Sequence, residues 1–255
     1  MEYKEEILRI TSIVDKGIAD FLDKANEVSI GEFESIVEGR IIINLCIRYL
    51  ESINELAKID LVYLPSAMVL SRSLFESAIN VLWLLYPSDI FECESRYIGR
   101  LKSYEDWITK QIKFKKSQNW LFDNLDNHLK EISSFRDSIQ KLLVKKGYEI
   151  PAIPALRSIL KSVNEERKYL YYQLLSGYTH GGFNSTWIYR KNLGTLKQVG
   201  EFIDLTDWKL VYSVSWPVFE IATELYIDRA TFSKSKIIYS DDFKNEIREA
   251  INIIN

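Results

Sequence analysis

Three polar residues interrupt an apolar stretch in the first half of the chain. Residues 61–86 read LVYLPSAMVLSRSLFESAINVLWLLY, with Arg72, Glu76 and Asn80 at intervals of four. This spacing places the three side chains on one face of a helix. An arginine and a glutamate inside a protein are costly unless they are paired and hydrogen bonded. The pattern therefore predicts that this face meets other polar groups.

A second polar stripe with the same spacing occurs later, where Tyr172, Ser176 and His180 lie in YYQLLSGYTHGG beside Tyr178. We expect the two stripes to face each other as a buried Arg/Glu/His cluster. His180 follows a helix, and both the helix dipole and a nearby Glu76 would favour its protonated form. Two interpretations stay open: a polar lock that holds helices in register, or a ligand or catalytic site in which Arg72 and His180 act.

Several common site types are missing from the sequence. Neither His128 nor His180 has a glutamate three residues before it, so the metal pattern of ferritin-like bundles is absent, and there is no HExxH motif. The GYTHGG segment lacks the lysine that ends a phosphate-binding loop. Ser176 shares a helical face with His180, but nothing in the pattern suggests an oxyanion hole. We therefore expect no metal and no cofactor.

Aromatic and basic residues are mixed in two further places. One is the segment 183–205, which contains Trp187, Tyr189, Arg190 and Lys191; the other is KFKKSQNW at residues 113–120. Such mixtures can hold single-stranded nucleic acid by phosphate attraction and base stacking. Lysines in a last helical turn also interact favourably with the helix dipole, which is the favoured interpretation of the second cluster. We interpret the first cluster as a contact loop.

Long helices must position these residues. The chain has 255 residues, 47% of them hydrophobic, but only five prolines and ten glycines, too few for the turns of an all-β fold. We predict one all-α domain over 1–255, a bundle of about eight or nine helices with a core at 44–182, helices at 206–253 packed on it, and a long loop or small hairpin at 183–205. The expected helices are 3–26, one opened by a Ser29–Glu32 capping box and ending near 58, 65–86, 90–117, 119–146, 154–163, 165–180, 206–232 and 241–253.

The remaining features favour a cytoplasmic protein. Cys46 and Cys93 show no paired metal spacing or disulfide framework, and the N-terminus MEYKEEILRI does not read as a secretory signal. The central apolar helix is expected in the core rather than in a membrane, because a span would place Arg72 and Glu76 near the middle of the bilayer. The net charge of −3 gives no broad attraction for RNA, so RNA binding would need a local patch.

Three segments together resemble an uncharacterised bacterial all-α family: SRSLFESAINVLWLL, SRYIG and YYQLLSGYTHGG. That family shows an Arg-x-x-x-Glu helix and a late Leu-Ser-x-x-x-His segment, and it looks distantly related to HEPN domains. The resemblance covers roughly 44–182. It implies a helical bundle, often dimeric, of a kind found in toxin–antitoxin and phage-defence systems.

Many HEPN domains are metal-independent ribonucleases with an Arg-x(4–6)-His motif, and this sequence departs from it. The nearest arginine before His180 is Arg167, so Arg72 or an arginine from a second subunit would have to supply the cation. Three hypotheses follow. The protein is a binding or regulatory module, a divergent ribonuclease, or an interaction subunit that uses 183–205 to contact a second copy or a protein encoded nearby.

Overall fold

Long helices dominate the computed structural model, which describes residues 2–28, 31–120, 124–194, 197–202, 205–231 and 238–253. Within these ranges the chain forms nine α-helices, which confirms the predicted all-α class. They are α1 (Glu2–Asn26), α2 (Glu34–Ile59), α3 (Leu64–Leu85), α4 (Ile90–Ser117), α5 (Leu125–Lys145), α6 (Leu156–Ser162), α7 (Tyr169–Thr179), α8 (Leu205–Thr231) and α9 (Asp241–Ile253).

Helix α3 lies at the centre of the bundle. It packs mainly against α2 and α8, with α7 against another side. Pro65 sits in the first turn of α3, where a missing amide hydrogen costs nothing. Most residues of α3 are buried. Among the described residues, Leu61–Leu85 is the one segment long and apolar enough to cross a membrane, and 61% of its most apolar stretch is buried by the rest of the molecule. This packing is that of a core helix.

Helices α4 and α5 form an antiparallel hairpin at the edge of the bundle. The Asp89 carboxylate caps α4 by accepting a hydrogen bond from the Phe91 amide at 2.9 Å. Gly147 follows α5 with a φ of +90°, as predicted for a helix C-terminal cap. Leu143 is the one fully buried residue of α5, so most of this helix faces outward. The hairpin therefore adds a long surface to the bundle and little to its core.

The segment 183–205 is a small hairpin preceded by a helix, so the second of its two predicted forms is confirmed. A 3-10 helix (Phe183–Tyr189) leads into β1 (Arg190–Lys191), which pairs antiparallel with β2 (Gln198–Val199). The 3-10 helix is not predicted by the sequence pattern. Residues 195–196 and 203–204 lie outside the described part of the chain.

Three predicted helix starts are wrong by four residues or more. Helix α7 begins at Tyr169 rather than at 165, and a 3-10 helix (Glu166–Lys168) precedes it. Helix α2 begins at Glu34 rather than at the Ser29–Glu32 capping box, and Ser29 lies outside the described residues. A residue of α4 supplies a hydrogen-bond acceptor for the first turn of α2, since the Glu94 carboxylate accepts a hydrogen bond from the Ser35 amide at 2.7 Å. Helix α5 begins at Leu125 rather than at the predicted 119. Residues 119 and 120 are not helical, and 121–123 lie outside the described residues.

Candidate functional site

The two polar stripes meet where α7 packs on α3. Arg72 Nη1 lies 3.0 Å from His180 Nε2, although the two residues are 108 positions apart in the chain. Two further contacts fix the same guanidinium. Its Nε donates to Glu76 Oε1 at 2.9 Å, and its Nη2 donates to the Tyr172 hydroxyl at 3.2 Å. We call these four residues, Arg72, Glu76, Tyr172 and His180, the arginine cluster.

The predicted burial of this cluster is wrong. The Arg72 side chain is 12% exposed, but the Glu76 side chain is 40% exposed, and His180 lies on the surface just beyond the end of α7. Helix α7 ends at Thr179, and both Thr179 and His180 are exposed. The cluster is therefore an open site at the rim of the bundle with a partly buried cation at its base.

The contact with Arg72 is compatible with one tautomer of the His180 ring. A guanidinium carries only N–H donors, so a hydrogen bond between the two groups needs the tautomer in which Nε2 accepts. In a neutral imidazole the proton then lies on Nδ1, which is free to donate elsewhere.

Tyr172 supports the cluster from α7. Its ring centroid lies 5.0 Å from Arg72 Cζ, which is a cation–π distance, and its hydroxyl accepts from the same guanidinium. Tyr169 stacks on Tyr172 with ring centroids 5.6 Å apart. The guanidinium is thus held against one face of an aromatic pair, which restricts its rotation and aims it toward His180.

The other predicted members of the two stripes do not join the cluster. The Asn80 amide donates to the Glu76 backbone carbonyl at 2.9 Å, and the Ser176 hydroxyl donates to the Tyr172 carbonyl at 2.7 Å, so both bonds stay within their own helices. Tyr178 packs half-buried against the core, and burial raises the pKa of its hydroxyl above the usual value. Sequence spacing identified the shared face correctly but could not tell which side chains reach across it.

The predicted contact loop has its aromatic residues at the surface. Trp187 and Tyr189 are exposed, and Phe183 packs beside Trp187 with ring centroids 5.8 Å apart. The two cations lie over rings of the same segment, Arg190 over Phe183 at 5.3 Å and Lys191 over Phe202 at 4.8 Å. The interaction role of this hairpin stays a prediction.

The outward-facing positions of Tyr104 and Trp107 were not predicted from the sequence. Tyr104 and Trp107 fit the apolar pattern of α4, but the buried side of this helix is formed by Ile98, Ile108 and Ile112, so the two rings face outward. Their positions fall outside the helical face that Ile98, Ile108 and Ile112 share, and this was the sequence feature that could have identified them. In the described part of the chain, no group of three or more His, Cys, Asp or Glu side chains is arranged to hold a metal ion.

Comparison with known proteins gives a family and no described function. No curated protein and no solved structure matches the chain. The model of a family of unknown function, DUF5677, matches residues 42–195, a range that contains the whole arginine cluster and both helices of the outer hairpin. The chain therefore belongs to the DUF5677 family of unknown function.

Proposed function

We propose that the arginine cluster binds a phosphate group, carried by a nucleotide or by RNA, and that the protein acts as a binding module. The observation that supports this most directly is the 3.0 Å contact between the Arg72 guanidinium and the exposed His180 ring. A cation and a histidine that share one surface position can both donate to the same oxyanion. The HEPN resemblance suggests a bacterial defence or stress system as the setting.

Enough donors remain for a ligand after the internal contacts are counted. A guanidinium has five N–H groups, and the contacts with Glu76, His180 and Tyr172 use one from each nitrogen of Arg72. Each terminal nitrogen therefore keeps a second N–H. His180 adds its Nδ1–H, which does not take part in the contact with Arg72. These N–H groups are the donors that remain for an anion.

Glu76 gives the site a testable property. Its carboxylate neutralises part of the charge of Arg72 and is itself 40% exposed, so it repels an incoming anion. Glu76→Gln keeps the shape of the side chain and removes this charge. We expect the variant to bind phosphate more tightly than the natural protein. If Arg72 and Glu76 served only to lock the helices, the substitution would leave phosphate binding unchanged.

Isothermal titration calorimetry with inorganic phosphate, a nucleoside monophosphate and a short single-stranded RNA tests the proposal. We expect binding to be lost in His180→Ala and strengthened in Glu76→Gln. Arg48→Ala is the matched control, because Arg48 is 75% exposed on α2 and takes no part in the cluster. The nucleotide and RNA arms show which molecule carries the phosphate. Equal affinities for the natural protein and His180→Ala would refute the proposal.

Cleavage of RNA is a second candidate function, and the same contact favours it. Arginine stabilisation of a phosphate beside a histidine that transfers a proton is the chemistry of metal-independent ribonucleases. Arg72 lies on α3 and His180 follows α7. The contact between them would take the place of the Arg-x(4–6)-His motif, which the sequence lacks. The test is cleavage of labelled RNA in the presence of EDTA. Activity that is lost in His180→Ala and kept in Arg48→Ala would support catalysis, and absence of cleavage by the natural protein would reject it.

A further inference from the structure

Four exposed aromatic side chains lie on α4 and just beyond its end. Tyr104, Trp107, Phe114 and Trp120 are each between 42% and 56% exposed. Tyr104 and Trp107 stack in parallel, with ring centroids 5.8 Å apart and an angle of 11° between their planes. Phe114 and Trp120 meet edge to face at 5.7 Å. We call these four residues the aromatic ridge.

Trp107 and Phe114, one from each pair, share one side of α4. Trp107 and Phe114 are seven residues apart, which is close to two full helical turns and about 10 Å along the axis. Large aromatic side chains rarely stay exposed in such numbers on one face unless they contact something. The ridge therefore presents two aromatic pairs, one stacked and one edge to face, that α4 separates by about two turns.

The segment that carries the ridge is basic. Residues 100–120 contain six basic and two acidic side chains, a net charge of +4 within a chain whose total is −3. One of the two acids, Glu105, is buried and pairs with Arg136 of α5 at 2.9 Å. Lys110 and Lys113 are exposed beside the rings. The segment therefore carries an excess of positive charge, although the whole protein is slightly acidic.

A cavity of about 520 Å³ opens next to the first aromatic pair. Tyr104 and Trp107 form one of its walls, and Glu38 and Arg100 form a polar edge where Arg100 Nη2 donates to Glu38 Oε1 at 3.0 Å. Pockets of this size hold small planar ligands. An edge that presents both a carboxylate and a guanidinium matches a nucleobase, which carries donors and acceptors side by side.

We propose that the aromatic ridge binds single-stranded nucleic acid, with bases stacked on its rings and phosphates drawn to the lysines of α4. Stacking requires unpaired bases, so a duplex should bind poorly. Charge complementarity selects this ligand over an apolar protein segment, which would gain nothing from the lysines. The ridge shares no residue with the arginine cluster, so the two proposals can fail separately.

Fluorescence anisotropy with a short labelled oligouridine, the corresponding oligothymidine and an RNA duplex tests this proposal. Trp107→Ala should weaken single-strand binding about fivefold to a hundredfold, the range for loss of one stacked base. Lys113→Gln should reduce the slope of log K against log salt by about 0.7, the value for one lost phosphate contact. Tyr63→Ala is the matched control, since Tyr63 is 41% exposed on a different element and should leave binding unchanged.

Three results would overturn the proposal. The first is equal oligouridine binding by Trp107→Ala and the natural protein. The second is duplex binding as tight as single-strand binding, which would indicate charge attraction alone. The third is an absence of single-strand binding together with self-association in sedimentation that Trp107→Ala abolishes, which would make the ridge an interface between copies of the chain. Since Trp107 is half exposed, an unchanged melting temperature can verify that the variant is folded.

Discussion

The arginine cluster allows a stability measurement that distinguishes an open site from a structural lock. We expect Arg72→Ala to lower the free energy of unfolding by about 2 to 3 kcal/mol and His180→Ala by less than about 1 kcal/mol. A lock would require both residues to be comparably important, because each would hold the same two helices together. In an open site only the Arg72 guanidinium has to be held in place, so the loss of His180 should cost little stability.

The magnitude follows from the contacts of Arg72. Its cation–π contact with Tyr172 contributes about 1 kcal/mol, and its hydrogen bond to the Tyr172 hydroxyl about as much. The pair with Glu76 adds about 0.5 kcal/mol, because the glutamate is 40% exposed and solvent screens the attraction. The bond to His180 is exposed and contributes less than about 1 kcal/mol.

Urea denaturation followed by circular dichroism gives the two values directly. For a chain of this size, the loss in Arg72→Ala corresponds to about 5 to 10 °C in melting temperature. Arg48→Ala again serves as a control, since its ion pair with Glu51 is largely solvated. A cost for His180→Ala as large as that for Arg72→Ala would refute the reasoning, and so would an Arg72→Ala variant as stable as the natural protein.

Three further predictions concern the interior. Burial raises the pKa of the Glu94 carboxyl, so its charged form destabilises the fold; this residue favours folding at acid pH, and its contribution is lost as pH rises through the raised pKa. The melting temperature of Glu94→Gln, compared with that of the natural protein, should therefore increase as pH rises from about 4 to about 7. A difference in melting temperature that does not change with pH would contradict this. Burial raises the pKa of Cys46 and Cys93 to about 12, so both thiols should react with Ellman's reagent only after unfolding; rapid labelling of the native protein would show the packing to be wrong. Tyr212→Phe should lower the free energy of unfolding in urea by about 1 to 3 kcal/mol, because the buried side-chain oxygen Oδ1 of Asn54 loses the hydroxyl that donates to it at 3.1 Å. An unchanged free energy of unfolding would exclude that hydrogen bond.

Local signals were sufficient where a helix end is determined by its own residues. The predicted 90–117 helix agrees with α4 because Asp89 caps its first turn and Pro87 separates it from α3. The start of α2 was wrong for the opposite reason. Its first amides are reached by Glu94, a residue from another helix that no local pattern can reveal.

The sequence by itself determined the helical class and placed Arg72 and Glu76 on one face, and Tyr172 and His180 on another, because residue spacing fixes directions around a helix. Only the tertiary structure decided that these faces meet, that the cluster opens to solvent, and that Tyr104 and Trp107 lie outside the core. Exposure depends on which elements cover a helix and where they end. That is a property of the assembled bundle, and the periodicity of one segment does not contain it.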